Sequence, residues 1–181
     1  MKKTIMAIVT GTLLTAVPVF AAPLSDVQEG QTVLGYNHYN LDQNGNSVKD
    51  DSFYLEAGVA PKVIVGVERN GYAFPNNYDA KTTDVYAQYK VNDNVRLIAG
   101  NRDFSNGGGD KFFYGVGLSA NLAQNVDGYV SATTNSRYTE WQTGVNYNMD
   151  NQTTLNVGYK SYKEDGSSRL DGVGFGISHK F

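Results

Sequence analysis

Arg169-Leu-Asp-Gly-Val-Gly-Phe-Gly-Ile-Ser-His-Lys-Phe181 closes the chain. Side chains on an extended strand alternate faces, so Val173, Phe175, Ile177 and Phe181 share one side. Gly172, Gly174, Gly176, Ser178 and Lys180 take the other. One side suits lipid and the other a crowded polar interior, which is the pattern of a strand in a transmembrane β-barrel. The alternation recurs upstream. Phe53, Leu55, Ala57 and Val59 oppose Tyr54, Glu56 and Gly58, and Phe112, Tyr114, Val116, Leu118 and Ala120 oppose Phe113, Gly115, Gly117, Ser119 and Asn121. Trp141, Val145 and Tyr147 oppose Glu140, Gln142, Gly144, Asn146 and Asn148.

Extending this reading along the chain gives ten strands, at 31–41, 51–60, 62–70, 82–91, 94–104, 110–121, 125–133, 137–148, 152–162 and 169–181. Eight is the alternative count if two weak strands are loop. The register of the first strand is ambiguous, and Ile98 falls on the polar parity of the fifth. Connections after odd strands read as long or turn-rich, at 42–50, 71–81, 105–109, 134–136 and 163–168. Those after even strands are mostly tight, as at Pro61, Asn92-Asp93 and Asp150-Asn151. Short turns at one end and longer loops at the other are the asymmetry of outer-membrane barrels.

The N-terminus reads as an address. Lys2 and Lys3 precede an apolar run from Ile5 to Phe20, and Ala21 and Ala22 follow. This predicts a secretory signal peptide over 1–21 and a single barrel domain over 22–181. The full chain carries a formal charge of −3; without Lys2 and Lys3, 13 basic residues face 18 acidic ones, or −5. A mildly acidic chain without a basic block argues against nucleic acid as a partner. With no cysteine, disulfides and thiolate metal sites are excluded. Mean hydropathy of −0.40 fits a barrel, because only alternate strand residues meet lipid.

With these features in place, the chain resembles the small outer-membrane β-barrel proteins of diderm bacteria. The carrying features are the leader, the strand train from about Gln31 and the segment Val173-Gly-Phe-Gly-Ile-Ser-His-Lys-Phe181. The resemblance implies an outer-membrane location, lipid as a partner, and Phe175, Ile177 and Phe181 as the signal for the barrel assembly machinery. It is specific for architecture and poor for function.

The inward parity collects Glu56, Glu68, Asp84, Lys90, Arg96, Arg102, Asp127, Glu140 and Lys160. Charges in a narrow lumen need partners or water. A near balance of sign therefore predicts mutual pairing and a plugged interior with a structural or surface-interaction role. The alternatives are a small, weakly selective pore and a soluble exported barrel with an apolar, ligand-binding interior. Tyr36, Tyr39, Phe53, Phe104, Phe112, Tyr138, Tyr162 and Phe181 read as aromatic girdles. Tyr72, Phe74 and Tyr78 suggest an extracellular sugar or peptide surface, with ligand contact expected through 42–50 and 71–81.

No catalytic constellation emerges. His38 and His179 are the only histidines, and Ser178 and His179 point to opposite faces. Asp42-Gln-Asn44-Gly-Asn46 alternates oxygen ligands, but Ser47 and Phe53 occupy the positions where a calcium loop needs Gly and an acid, so it reads as a solvated turn. The sequence thus predicts no enzyme, no cofactor and no metal.

Overall fold

The computed structural model describes residues 23–181 apart from 25, 76–78 and 106–107; the leader expected over 1–21 lies outside the described residues, as does Tyr78. Ten antiparallel strands form one closed barrel. They are β1 (Thr32–Gln43), β2 (Asn46–Ala60), β3 (Val63–Ala73), β4 (Asp79–Asn92), β5 (Val95–Phe104), β6 (Gly109–Ala123), β7 (Val126–Thr134), β8 (Tyr138–Asn148), β9 (Thr153–Glu164) and β10 (Leu170–Lys180). Each strand pairs with its sequence neighbours, and β1 closes on β10 from Val33 opposite Lys180 to Asp42 opposite Asp171. Closure leaves no unpaired sheet edge.

Period-2 burial runs through the wall. Leu34, Phe53, Leu55, Val67, Val85, Leu97, Phe112, Val157, Val173 and Phe175 are exposed on the outside, Phe53 by 60% and Phe112 by 65%. Glu56, Glu68, Asp84, Arg102, Glu140 and Lys160 are buried inside. The wall is thus apolar outward and charged inward, the reverse of a soluble ligand-binding barrel with an apolar interior. Ile98 is buried inside on the polar parity.

The β1–β2 connection corrects one expectation. Residues 42–50 are not a loop: Gln43 pairs with Asn46, and only Asn44 and Gly45 turn, both with positive φ (54° and 83°). Asn-Gly supplies the two left-handed residues that a tight hairpin matched to strand twist requires. Val48 and Asp50 then continue the inward parity and are fully buried. At the opposite end, side chains cap the turns: Asn92 Oδ1 accepts from the Asn94 and Val95 amides, and Asp150 Oδ1 from those of Gln152 and Thr153. These two amide bonds hold the Asp150 carboxyl below the usual carboxylate range. The three register shifts, at Gly58/Ala60, Lys90/Asn92 and Asn121/Ala123, all fall at this same end, which also holds the start of β1 and Phe181.

Half of the expected girdle also needs correction. Tyr36, Phe53, Phe112 and Phe181 lie on the outer wall, but Tyr39, Tyr138 and Tyr162 are buried inside and Phe104 packs against them. Proximity to a strand end says nothing about face; parity does, and Tyr39 shares it with Asn37 and Leu41.

Candidate functional site

The interior holds three tiers. The middle tier is an ionic chain that crosses the lumen. Arg102 on β5 donates in a fork to Asp84 on the adjacent β4, at 2.7 and 2.5 Å. Its third nitrogen reaches Glu140 on β8 at 2.8 Å, with β6 and β7 intervening along the wall. Glu140 is also 3.4 Å from Lys160 on β9, and Lys160 donates at 2.7 Å to Asp50 on β2, across β10 and β1. Asn70 accepts a further bond from Lys160 at 3.1 Å. Two spans of the chain therefore run across the barrel rather than along its wall. Tyrosine rings roof the cations: the Arg102 guanidinium lies 4.5 Å from the Tyr138 ring centre, and the Lys160 ammonium 5.4 Å from that of Tyr72. Rings placed so add a cation–π attraction that strengthens away from water.

The lower tier, toward the chain termini, is made of neutral and mixed bonds. Glu56 accepts from Tyr86 and Gln88 at 3.0 and 2.6 Å, and Gln88 accepts from Arg96. Tyr39 reaches across to Gln142 at 3.2 Å, and Asn156 donates to Asn146 and to the Tyr129 hydroxyl. Into this tier comes a segment that is not a strand. The described residues of 23–31 precede β1 and turn into the barrel mouth, where Pro23, Leu24 and Val27 are buried. The Leu24 carbonyl accepts from Asn146 at 3.0 Å, and Lys90 donates to Asp26 and to the Val27 carbonyl at 2.7 and 2.6 Å. Arg96 is 3.7 Å from Asp26. A Cβ on Gly117 would meet the Leu24 side chain at 2.5 Å, so glycine there makes the space into which the arm fits. Burial raises the Asp26 carboxyl, but the bond from Lys90 and the charges of Lys90, Arg96 and Lys180 outweigh it, leaving Asp26 below the usual carboxylate range.

A cavity of about 580 Å³ remains beside the arm, lined among others by Arg96, Asp127, Asn148 and Lys180. Asp127 accepts from Asn121 and Asn148 there. The upper tier is a second cavity, about 450 Å³, that opens above the ionic chain at the opposite end, between Tyr72, Phe104, Arg137 and Tyr162.

Of the nine charges on the inward parity, Asp84, Arg102, Glu140 and Lys160 join in the middle tier, and Glu56, Lys90 and Arg96 in the lower one. Asp127 stands by the lower cavity, and Glu68 is buried beside the middle tier on the strand pair that holds Asp84. Reading the strand from 51 missed Asp50, two positions before Ser52 on the same parity; that parity was the signal. No periodicity marks Leu24 and Asp26. Phe175 and Ile177 face outward from β10, and Phe181 exchanges backbone bonds with Thr32.

The histidines sit on the outer wall, four residues apart along the β1–β10 ladder. His38 contacts Asp51 at 2.8 Å, and the other partner of that carboxylate is the Tyr36 hydroxyl, not a serine. His179 meets Thr153 and the Phe181 ring.

No family model matches the sequence, and no curated protein does. Among solved structures, the chain is similar to de novo designed transmembrane β-barrels (13% identity over 87% of this chain and 100% of that one, TM-score 0.44). It is also similar to Neisserial surface protein A (12% identity, 83% and 96% covered, TM-score 0.44) and to Ail, the attachment invasion locus protein of Yersinia pestis (15% identity, 85% and 100% covered, TM-score 0.39). By its own topology the chain is a closed ten-stranded antiparallel β-barrel with an apolar outer wall and a charged interior.

Proposed function

We propose that this chain is an outer-membrane barrel whose lumen is closed, with a structural or surface-interaction role and no enzymatic activity. The ionic chain from Asp84 through Arg102, Glu140 and Lys160 to Asp50 carries the reading, because it spans the lumen twice and uses each cation for two carboxylates. Ions that permeate would have to displace contacts formed away from water, where breaking a pair leaves an uncompensated charge. The arm at 23–31 adds a second closure below. The apolar outer wall supports membrane placement, and the outward Phe175, Ile177 and Phe181 support recognition by the barrel assembly machinery. The end that holds the start of β1 and Phe181 then faces the periplasm, since an even strand number returns the chain to the side on which the first strand begins.

Planar-bilayer recording of the refolded, heat-modifiable barrel tests this. An inserted barrel is expected to stay silent. Steady unitary steps proportional to salt would replace the closed-lumen reading with a small pore lined by Arg96, Arg102 and Glu140.

A further inference from the structure

We propose that the outer wall around Gly71 holds the phosphate of an outer-leaflet lipid, clamped by Lys49, Arg69 and Lys81. Gly71 is a strand glycine for which the fold itself has no use. Every other described glycine either has a positive φ or would press an added Cβ to under 3.0 Å from a neighbouring atom. A Cβ on Gly71 would find its nearest atom, the Asp51 carbonyl oxygen, at 3.8 Å. Glycine weakens a strand interior and often marks a place where a ligand approaches the backbone closely. Gly71 shares the outward parity of β3 with Val67 and Arg69, so whatever approaches it comes from outside the barrel.

The register surrounds that bare spot with cations. Lys81 on β4 stands directly across from Gly71, and Arg69 is two positions away on β3 itself. Lys49 on β2 pairs with Ala73 and so lies on the diagonal from Gly71. All three are exposed, and none forms an ion pair with a described residue. Asp51, across from Gly71 on β2, has its carboxylate engaged by the Tyr36 hydroxyl and His38, both on the far neighbour β1. Asp79 and Asp103 bound the patch, at the loop end of β4 and on β5. Charge-assisted hydrogen bonds from Arg and Lys suit the oxygens of a phosphate. Two positions below Arg69, about 7 Å along the strand, the wall is already apolar. Val67 pairs there with Leu55 and Val85, and an apolar groove of about 480 Å³ continues past Ala57 and Ala87. Cations set directly over an apolar groove suit a phosphate that carries acyl chains. A soluble anion would use only the cations. The patch lies at the end of the β1–β2 hairpin, which places that lipid in the outer leaflet.

This assignment rests on the outer-membrane reading, which co-flotation of the refolded barrel with phosphatidylcholine vesicles tests separately. Native mass spectrometry of the barrel that does insert, titrated with diphosphorylated lipid A, tests the site. A single lipid A molecule is expected to bind saturably, and its dephosphorylated form, with the same acyl chains, more weakly. Arg69→Gln and Lys81→Gln should each weaken binding about fivefold, the share of one cation at an anionic lipid surface. Gly71→Val keeps every charge, suits a strand and fills the bare spot, so it should fold at least as well and lose saturable binding. Lys62→Gln, which removes an exposed cation at the opposite end, should leave the affinity unchanged. Heat modifiability reports that each variant is folded. The proposal is overturned if an inserted wild-type barrel shows no preference for the phosphorylated lipid, or if Gly71→Val binds like wild type. Weakening by Lys62→Gln as large as by Arg69→Gln would also overturn it, because the attraction would then belong to no particular place. So would complete displacement of lipid A by millimolar inorganic phosphate, which would make the patch a site for a free anion.

Discussion

The barrel is closed twice, by opposite means. The middle closure is made by strand residues, joins groups as distant in sequence as Asp50 and Lys160, and buries both completely. The lower one is made by an arm outside the strand ladder, and its carboxylate, Asp26, keeps 63% of its side-chain surface exposed. Each sets a carboxylate against a cation at 2.7 Å. Distance alone therefore does not rank them: the buried pair cannot be broken without stranding a charge, whereas solvent stands ready to replace either partner of the exposed one.

The largest effect should follow from Lys160→Met. It leaves Asp50 and Glu140 facing each other without their shared cation, and breaking a buried pair this way costs about 3–5 kcal/mol. Urea unfolding of the refolded barrel measures it. Adding Asp50→Asn to Lys160→Met should recover part of the loss, and failure to recover would mean that the two groups are not coupled. Leu24→Ala is the matching test of the arm. Truncating a buried leucine costs about 2 kcal/mol at the low end of its range, because the barrel mouth can admit water. This variant should also remain silent in bilayers, since the ionic chain above still closes the lumen. Conductance on loss of Leu24 alone would make the arm the true gate.

The two closures also differ in how far they can be read from sequence. Parity places Asp84, Arg102, Glu140 and Lys160 inside, because a strand residue has only two faces to choose from. The pairing among them is not legible: Arg102 meets Glu140 only because strand tilt and closure bring β5 opposite β8, which no local pattern encodes. Asp50 is legible once the Asn44-Gly45 turn is recognised as a tight hairpin, since the strand then reaches far enough to include it. Tyr39, Tyr138 and Tyr162 mislead because tyrosine suits both a membrane interface and a polar core, and only parity separates the two. The arm has no period to read. A short stretch with Leu24 and Val27 as its buried apolar anchors looks like any linker, and the place of these anchors is set by a lumen that exists only after closure.

Gly45→Ala sharpens the contrast from outside both closures. Gly45 has φ of 83° and open space around a new Cβ, so only backbone strain is added. A loss of about 1 kcal/mol in unfolding free energy is expected, with the arm and the ionic chain undisturbed. A larger loss would mean that the register of β1 against β2, and with it the placement of Asp50, hangs on this turn.

The smallest effect is the most selective. Because the Asp26 carboxyl lies below its usual range in the folded protein, it binds its proton less readily folded than unfolded. Its contribution is therefore complete above the unfolded value of about 4 and is lost as pH falls through the lower folded value. With Asp26 exposed, the amount is under about 1 kcal/mol, too little to register in global unfolding. It should register locally. A spin label or fluorophore on residue 28, whose side chain is exposed, should report an arm that loosens below pH 4 in wild type. Asp26→Asn should be looser at neutral pH and show no further change on acidification. If arm and barrel loosened together at one pH, the two closures would form a single unit, and their different burial would have no consequence for stability.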